Sequence, residues 1–358
     1  MYPIWYALET LRFIFLPFSL LYQFILRVRN LLYDSGVFGV TVFDIPTISV
    51  GNLAFGGTGK TPHIEYLIRL LQNRFKTAML SRGYKRKTVG YVFAEPNIKQ
   101  EMIGDEPWQI HDKFKEIAVG VCENRVLGLP NLLFDAPETQ LILLDDAYQH
   151  RALQPGLNIL LTDYKRRYTH DFLVPMGMLR EYPSASSRAD IIIVSKCPPT
   201  LTGHERESII RELNPKDNQQ VYFSFIRYGE IQGLYDESMA PKSDLVLIFT
   251  GVANPDNLVQ QMQKQYKKVE LKKFADHYIY KLEDIENLKT LFDNMEGSQK
   301  IILTTEKDRT KLMNPELKEI LEKLPIYYQP IEVEFFEHDK HHFDQQIINY
   351  VTQHPANN

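Results

Sequence analysis

Between residues 49 and 62 the chain reads Ser-Val-Gly-Asn-Leu-Ala-Phe-Gly-Gly-Thr-Gly-Lys-Thr-Pro, and these residue types at this spacing suit a phosphate cradle. Glycines let backbone N–H groups close around phosphate oxygens, a lysine reaches the β- and γ-phosphates, and a threonine hydroxyl suits Mg²⁺. Ala54, Phe55, Gly56, Gly57, Thr58, Gly59, Lys60 and Thr61 are therefore the expected nucleotide loop, with Thr61 also a metal candidate. Gly-Lys-Thr alone is a common tripeptide, and without its context the stretch would be only a glycine-rich turn. The context is specific. Thr47-Ile48-Ser49-Val50 reads as a strand, while Ile64, Leu67, Ile68 and Leu71 recur at i, i+3, i+4 and i+7 as one face of a helix. Pro62 suits a first helical turn, where a missing N–H costs little. Ala54 stands where the pattern G-x-x-x-x-G-K-[ST] places its leading glycine.

A second run, Leu141-Ile142-Leu143-Leu144-Asp145-Asp146, is an apolar strand ending in paired carboxylates, which suits the Mg²⁺ of a bound nucleotide. Ala147-Tyr148-Gln149-His150-Arg151 then extends beyond the strand tip, where open α/β sheets bind ligands. Ser81-Arg82-Gly83-Tyr84-Lys85-Arg86-Lys87 follows another strand and suits an anionic acceptor through Arg82; Lys85 to Lys87 read equally well as a solvated basic loop. Gly104-Asp105-Glu106-Pro107 places two acids at a helix start. They can act as a base or reach a metal, and taken alone they are an ordinary N-terminal cap. Asp276-His277 and Thr305-Glu306-Lys307-Asp308 are not catalytic on their own showing, since a lone histidine is usually structural or exposed.

These residues need a scaffold. Apolar runs at residues 77–80, 116–121, 141–144, 157–162 and 190–195, separated by helical or irregular stretches, predict an α/β fold: a P-loop NTPase-like, mostly parallel sheet. A polar stretch near residues 215–219 marks a boundary. Runs at 245–249, 270–274, 301–304 and 326–335 with a helix near 258–266 then predict a second, smaller α/β domain. The expected division is 1–35, 36–218 and 219–358. The chain has 358 residues, 44% hydrophobic and 24% charged, with net charge −4, so nothing suggests disorder or a nucleic-acid partner bound through a basic face. Two cysteines, Cys122 and Cys197, support neither a disulfide framework nor a zinc site.

Residues 13–26 carry no charge, but with Pro17 among them they are too short for the roughly 20 residues of a bilayer span. Ile4, Leu8, Leu11, Phe15, Phe18, Tyr22 and Ile25 form an apolar stripe opposite Glu9, Arg12, Ser19 and Gln23. The expected N-terminal amphipathic helix lies on a membrane, with Arg27 and Arg29 at the headgroups, or packs on the protein's own core.

With these blocks in order, the sequence resembles the tetraacyldisaccharide 4′-kinase family of lipid A biosynthesis. The resemblance rests on residues 49–62, Ser81-Arg82-Gly83-Tyr84, Gly104-Asp105-Glu106-Pro107, Asp145-Asp146-x-x-Gln149-His150-Arg151, Leu179-Arg180-Glu181 with Arg188-Ala189-Asp190, Ala275-Asp276-His277, and Thr305-Glu306-Lys307-Asp308. It implies transfer of the γ-phosphoryl group of ATP to an acylated glucosamine disaccharide 1-phosphate, forming lipid IVA at the cytoplasmic face of a Gram-negative inner membrane. Membrane association would be peripheral or monotopic, and no obligate protein partner is expected. It further implies Asp105 as catalytic base paired with His277, and Lys60 on the phosphates. Mg²⁺ would be held by Thr61 and Asp145, with Asp146 or Glu106, and Arg82, Tyr84, His150 and Arg180 would contact the acceptor. Two departures are local: Ala147-Tyr148 replaces Gly-Phe after the paired acids, and Lys85 replaces a glycine. A different class, a P-loop ATPase or GTPase switching at the membrane surface, would carry Asn-Lys-x-Asp if guanine-selective; Ser195-Lys196-Cys197-Pro198 is only loosely similar.

Overall fold

The computed structural model describes residues 12–236, 238–276, 278–297 and 299–357. Its strands are β1 (Thr47–Asn52), β2 (Thr77–Ser81), β3 (Val92–Phe93), β4 (Ala118–Val121), β5 (Leu141–Asp145), β6 (Leu157–Asp163), β7 (Ile191–Ser195), β8 (Gln220–Tyr228), β9 (Gln232–Gly233), β10 (Leu245–Thr250), β11 (Lys268–Lys273), β12 (Lys300–Thr305), β13 (Ile326–Gln329) and β14 (Ile331–Phe335). The α-helices are α1 (Leu16–Asp34), α2 (Lys60–Leu71), α3 (Gln100–Ile103), α4 (Asp105–Lys113), α5 (Arg125–Asp135), α6 (Gly203–Leu213), α7 (Asp256–Gln263), α8 (Leu282–Asp293), α9 (Glu306–Leu312), α10 (Pro315–Leu321) and α11 (Glu337–Thr352).

A nine-stranded sheet runs β14-β8-β7-β6-β1-β5-β2-β4-β3, and a five-stranded sheet runs β11-β10-β12-β13-β9. In the large sheet β8 through β4 are parallel, with antiparallel edges at β14 and β3. Every residue of β1, β2 and β5 is buried, as strands covered on both faces must be. Leu141 and Leu143 face a core that includes Ile64 of α2, Ile110 of α4 and Phe343 of α11; Ile142 and Leu144 face the other layer with Leu129 and Leu132 of α5. Chain order reverses around β1, because β5 lies between it and β2 while β6 lies on its other side. The crevice at these carboxyl ends is where such sheets take ligands.

The sheets do not follow the expected break at residues 218/219. β8 and β14 both belong to the large sheet, and α11 covers that sheet, so the chain leaves for the small sheet and returns. The run at 326–335, read as one strand, is split by Pro330, which has no N–H to continue a ladder. β13 pairs parallel with β12, whereas β14 pairs antiparallel with β8. At the crossing Gly229 N–H donates to Pro330 O at 3.0 Å, and buried Gln329 donates through Nε2 to Gly229 O at 2.8 Å and Pro330 O at 2.9 Å.

The N-terminal helix differs from the expected stripe. Ser19, assigned to the polar face, is buried, donates to Leu173 O and accepts from Met176 N–H, while Tyr22 turns inward and donates to Arg180 O. Phe15, Phe18, Leu20, Leu21, Phe24, Ile25 and Leu31 are exposed among the described residues. Ile4, Leu8, Glu9 and Leu11 lie outside the described residues. Among the described residues no helix is long and apolar enough to cross a membrane.

Candidate active site

β1 ends at Asn52 and the chain passes through residues 53–59 before α2 starts at Lys60. Gly59 caps α2 at φ 90° with no side-chain cap, so the first-turn N–H groups remain available to an anion. Ala54 needs no glycine: it bridges Leu179 in extended pairing, and Phe55 N–H donates to Met178 O at 2.7 Å. The loop is braced from both sides. Asn52, fully buried, donates to Thr58 Oγ1 at 2.8 Å, and Ser195 Oγ donates to Thr58 O at 2.7 Å. Beneath it His63 donates from Nδ1 to Gly59 O at 2.7 Å and accepts at Nε2 from Ser224 Oγ at 3.0 Å. Burial pushes that imidazole down to about 4, so it is neutral at physiological pH.

Asp145 ends β5 in register with Val50. Its Oδ2 accepts from Ser81 Oγ at 2.8 Å, while Oδ1 is buried with no hydrogen-bond partner among the described residues. Burial, then the Glu106 and Asp146 carboxylates, push the Asp145 carboxyl up to about 6. The neighbouring acid has the opposite environment. Asp146, in the left-handed region at φ 47°, receives both Arg180 Nη atoms at 2.7 and 3.0 Å, with Lys60 Nζ at 3.6 Å. Burial opposes ionisation there, but Lys60 and Arg180 hold its carboxyl well below the usual range. Arg180 also donates to Asn52 O and Asn52 Oδ1, and Gln149 Nε2 donates to Asn52 O at 2.8 Å. Beneath β5, buried Arg125 donates to Asp145 O at 3.1 Å and Cys122 O at 2.7 Å.

Two motif glycines explain each other. Gly83 and Gly104 have φ of 69° and 93°, and a Cβ on either would come within 2.8 Å of Ile103 O or 2.9 Å of Tyr84 O. Glycine at both lets the Arg82-Gly83-Tyr84 loop pack onto the start of α4, where Asp105 and Glu106 sit. Arg82 and Tyr84 are exposed there. His150 is half-buried with Nε2 unpartnered among the described residues; burial, then Arg125, Arg29 and Arg82, push it down to about 4.

The Thr305-Glu306-Lys307-Asp308 run carries cations from the small sheet to α4. Buried Asp308 accepts from Thr250 Oγ1 at 2.5 Å, Gly251 N–H at 3.1 Å and Thr305 Oγ1 at 2.7 Å, fixing the start of α9. α9 then places Lys311, buried, 3.3 Å from Asp308 and 4.0 Å from Asp105, and Lys307 3.7 Å from Glu106. Gln100 Nε2 also donates to Asp105 Oδ1 at 2.8 Å. His277 lies outside the described residues. Asn52, Arg125 and Lys311 were not singled out as site residues. Asn52 directly precedes the loop and so offered a signal; Arg125 and Lys311 come together with the site only through the fold.

Among the described residues no group of three or more protein ligands is arranged to hold a metal. That suits Mg²⁺, which takes one or two carboxylates and otherwise keeps waters and phosphate oxygens. The buried, unpartnered Asp145 Oδ1 is an acceptor that fits such an ion.

A parallel sheet with a glycine-headed helix start at its switch point, a lysine in the first helical turn and a buried acid on the adjacent strand defines a P-loop nucleotide-dependent enzyme. The family profile for LpxK, tetraacyldisaccharide-1-P 4′-kinase, matches residues 11–352. A tetraacyldisaccharide 4′-kinase of Bacteroides fragilis strain YCH46 is 42% identical over 95% of this chain and 93% of its own. One from Flavobacterium johnsoniae is 41% identical over 97% and 99%. The structure of LpxK from Aquifex aeolicus in complex with ATP superposes with a TM-score of 0.70 at 28% identity, covering 95% of this chain and 99% of that one. The chain belongs to the tetraacyldisaccharide 4′-kinase family. The ATPase or GTPase switch is not favoured, since these relatives carry the kinase name over nearly their whole length.

Proposed function

We propose that this chain transfers the γ-phosphoryl group of ATP to the 4′-hydroxyl of a tetraacyldisaccharide 1-phosphate, forming lipid IVA. The observation that carries the reading is the buried, unpartnered Asp145 Oδ1 beside the Gly59-headed helix start that presents Lys60 and Thr61. Backbone N–H groups of residues 56–61 bind the phosphates, and Lys60 moves from Asp146 to the β- and γ-phosphate oxygens. Thr61 and Asp145 would hold Mg²⁺, with Glu106 contributing directly or through water. When bound, the ion neutralises charge on the β- and γ-phosphates. Asp146 orients Arg180 toward the acceptor. Asp105 takes the proton of the sugar hydroxyl as the new P–O bond forms, and His277 is its proposed partner. Arg82, Tyr84 and His150 line the acceptor side, where Arg82 and Arg29 suit the 1-phosphate.

The exposed apolar surface of α1 supports docking on the cytoplasmic face of the inner membrane of a Gram-negative bacterium. Tyr22 on Arg180 O, Arg29 on Gln149 O and Asn30 on Glu181 Oε1 tie that helix to the site. The test is label transfer from γ-labelled ATP to tetraacyldisaccharide 1-phosphate in mixed micelles. Wild type labels the lipid, and Asp105→Ala keeps ATP binding but loses transfer by about 10²-fold or more. Phosphate released to water with no labelled lipid would overturn the assignment.

A further inference from the structure

Lys196-Cys197-Pro198 takes no part in the phosphoryl transfer proposed for this chain, yet the fold places it, just after Ser195, at the phosphate loop. The catalytic acids Asp145 and Asp146 lie at the tip of β5 on one side of β1; β6 and β7 lie on the other. A triphosphate whose γ end faces those acids must send its nucleoside toward the β6 and β7 tips. Lys196 stands there. Its Nζ donates to Gly57 O of the phosphate loop and to Asp163 Oδ2 at 3.0 Å, while the preceding Ser195 Oγ holds Thr58 O. Its backbone is left-handed at φ 57°, which disfavours a residue with a Cβ. Asp146 shares that conformation directly after β5. Two strand tips on either side of β1 thus carry a strained non-glycine residue, and such residues cluster at functional sites.

We propose that the aliphatic stem of Lys196 is the floor of the nucleoside subsite, on which the purine ring of ATP lies. Pinned at its backbone end by the strand tip and at its amine by Gly57 and Asp163, the stem is an apolar rod held beside the loop. Its side chain is 29% exposed, so one flank is open to a ring. Two residues on, Pro198 has no side-chain acceptor for a guanine edge, so this subsite grips the flat face of the base. The inference rests on the kinase reading, because it takes its direction from the γ-phosphate end.

The experiment compares full-length wild type, Lys196→Ala and Lys196→Met for the KM of ATP and for inhibition by inorganic tripolyphosphate, which has the phosphates without the nucleoside. Alanine keeps the Cβ, so the backbone conformation is equally strained before and after. Lys196→Ala raises the ATP KM five-fold or more and leaves the tripolyphosphate inhibition constant within two-fold; Lys196→Met, which keeps an unbranched apolar stem, recovers most of the ATP KM. Equal weakening toward ATP and tripolyphosphate in Lys196→Ala would mean that the lysine only props the phosphate loop, and would overturn the proposal, as would an unchanged ATP KM. If wild type transfers no phosphate to lipid and tripolyphosphate does not compete with ATP, the kinase reading itself falls, an outcome distinct from either.

Discussion

Asp145 sits in an environment that disfavours its charged form. Its ordinary value of 3.8 is raised to about 6 by burial and by the Glu106 and Asp146 carboxylates. Between those pH values the folded chain keeps a proton that the unfolded chain has released. Stability of the metal-free and nucleotide-free protein therefore falls as pH rises through that window and stays reduced above it, by on the order of 2–3 kcal/mol. Asp145→Asn keeps an acceptor for Ser81 Oγ and removes the charge. We expect it to unfold at higher denaturant than wild type at pH 8, with the advantage gone near pH 4, while phosphoryl transfer is lost. A variant less stable than wild type at pH 8 would mean that Lys60 and Ser81 favour the Asp145 carboxylate more than burial and the neighbouring acids oppose it. Lys60 and Asp145 were legible as candidates because their chemistry is carried by neighbours in sequence: glycines before the lysine, an apolar strand before the acid; Asp105 alone reads as a helix cap, and only the family resemblance makes it a base. Arg125 and Lys311 were not, because their partners Asp145 and Asp105 lie far away along the chain and meet them only after folding.

At the scale of elements, two contacts bring distant parts of the chain to the site. α9 meets α4 through Lys311 with Asp105, Lys307 with Glu106, Arg309 with Asp112 at 3.1 Å, and Glu306 with Lys113. Lys311 is buried 4.0 Å from Asp105, so its charge is weakly screened and acts on the carboxylate proposed to take the proton. Lys311→Met should lower kcat by about 10-fold or more while the KM for ATP stays within about two-fold, because general-base catalysis is worth about 10²–10⁴ and the phosphate loop is untouched. Parallel loss in both constants would instead show a displaced α9. The other contact is α1, whose helical character was legible while its facing was not. Periodicity marks which residues share a face; it does not say whether that face meets protein or lipid. Phe18, Leu21 and Phe24 are 63%, 60% and 64% exposed. Replacing all three by serine should abolish co-sedimentation with phosphatidylglycerol vesicles, since each side chain is worth about 1.5–3 kcal/mol when fully buried. The melting temperature should move little, because all three side chains are mostly exposed and belong to none of the hydrophobic cores. Unchanged vesicle binding would move the membrane contact elsewhere.

For the molecule as a whole, the decisive feature is that the chain crosses between its two sheets twice, outward after Tyr228 and back at Pro330. Composition signalled the outward crossing, through the polar stretch before β8, but placed it ahead of that strand. The return was not legible, because β13 and β14 are both strand-like and separated by a single proline, and nothing local says that they join different sheets. The returning segment supplies Val333, Phe335, Phe343, Ile347 and Val351 to the same core as Ile48, Ile64 and Leu143, all of them nearly or fully buried. It also supplies Asp339, which accepts from Arg206 and from Phe223 N–H across the edge of the large sheet. Deleting buried apolar side chains costs about 2–5 kcal/mol each, against a total stability of about 5–15 kcal/mol for a domain. A fragment ending at residue 228 should therefore fail to fold cooperatively, although it holds the nucleotide loop and both acids of β5. The fragment spanning residues 229–330 has its own core of Phe249, Ile285, Leu288, Ile302 and Leu321, and should give a single cooperative transition. Mixing the first fragment with a chain of residues 331–358 should restore a cooperative melt and ATP binding, because β14 re-pairs with β8 and α11 covers the sheet again. If residues 12–228 melted cooperatively by themselves, the large sheet would not need its returning edge, and α11 would be an accessory cover and not part of the core that holds the site in place.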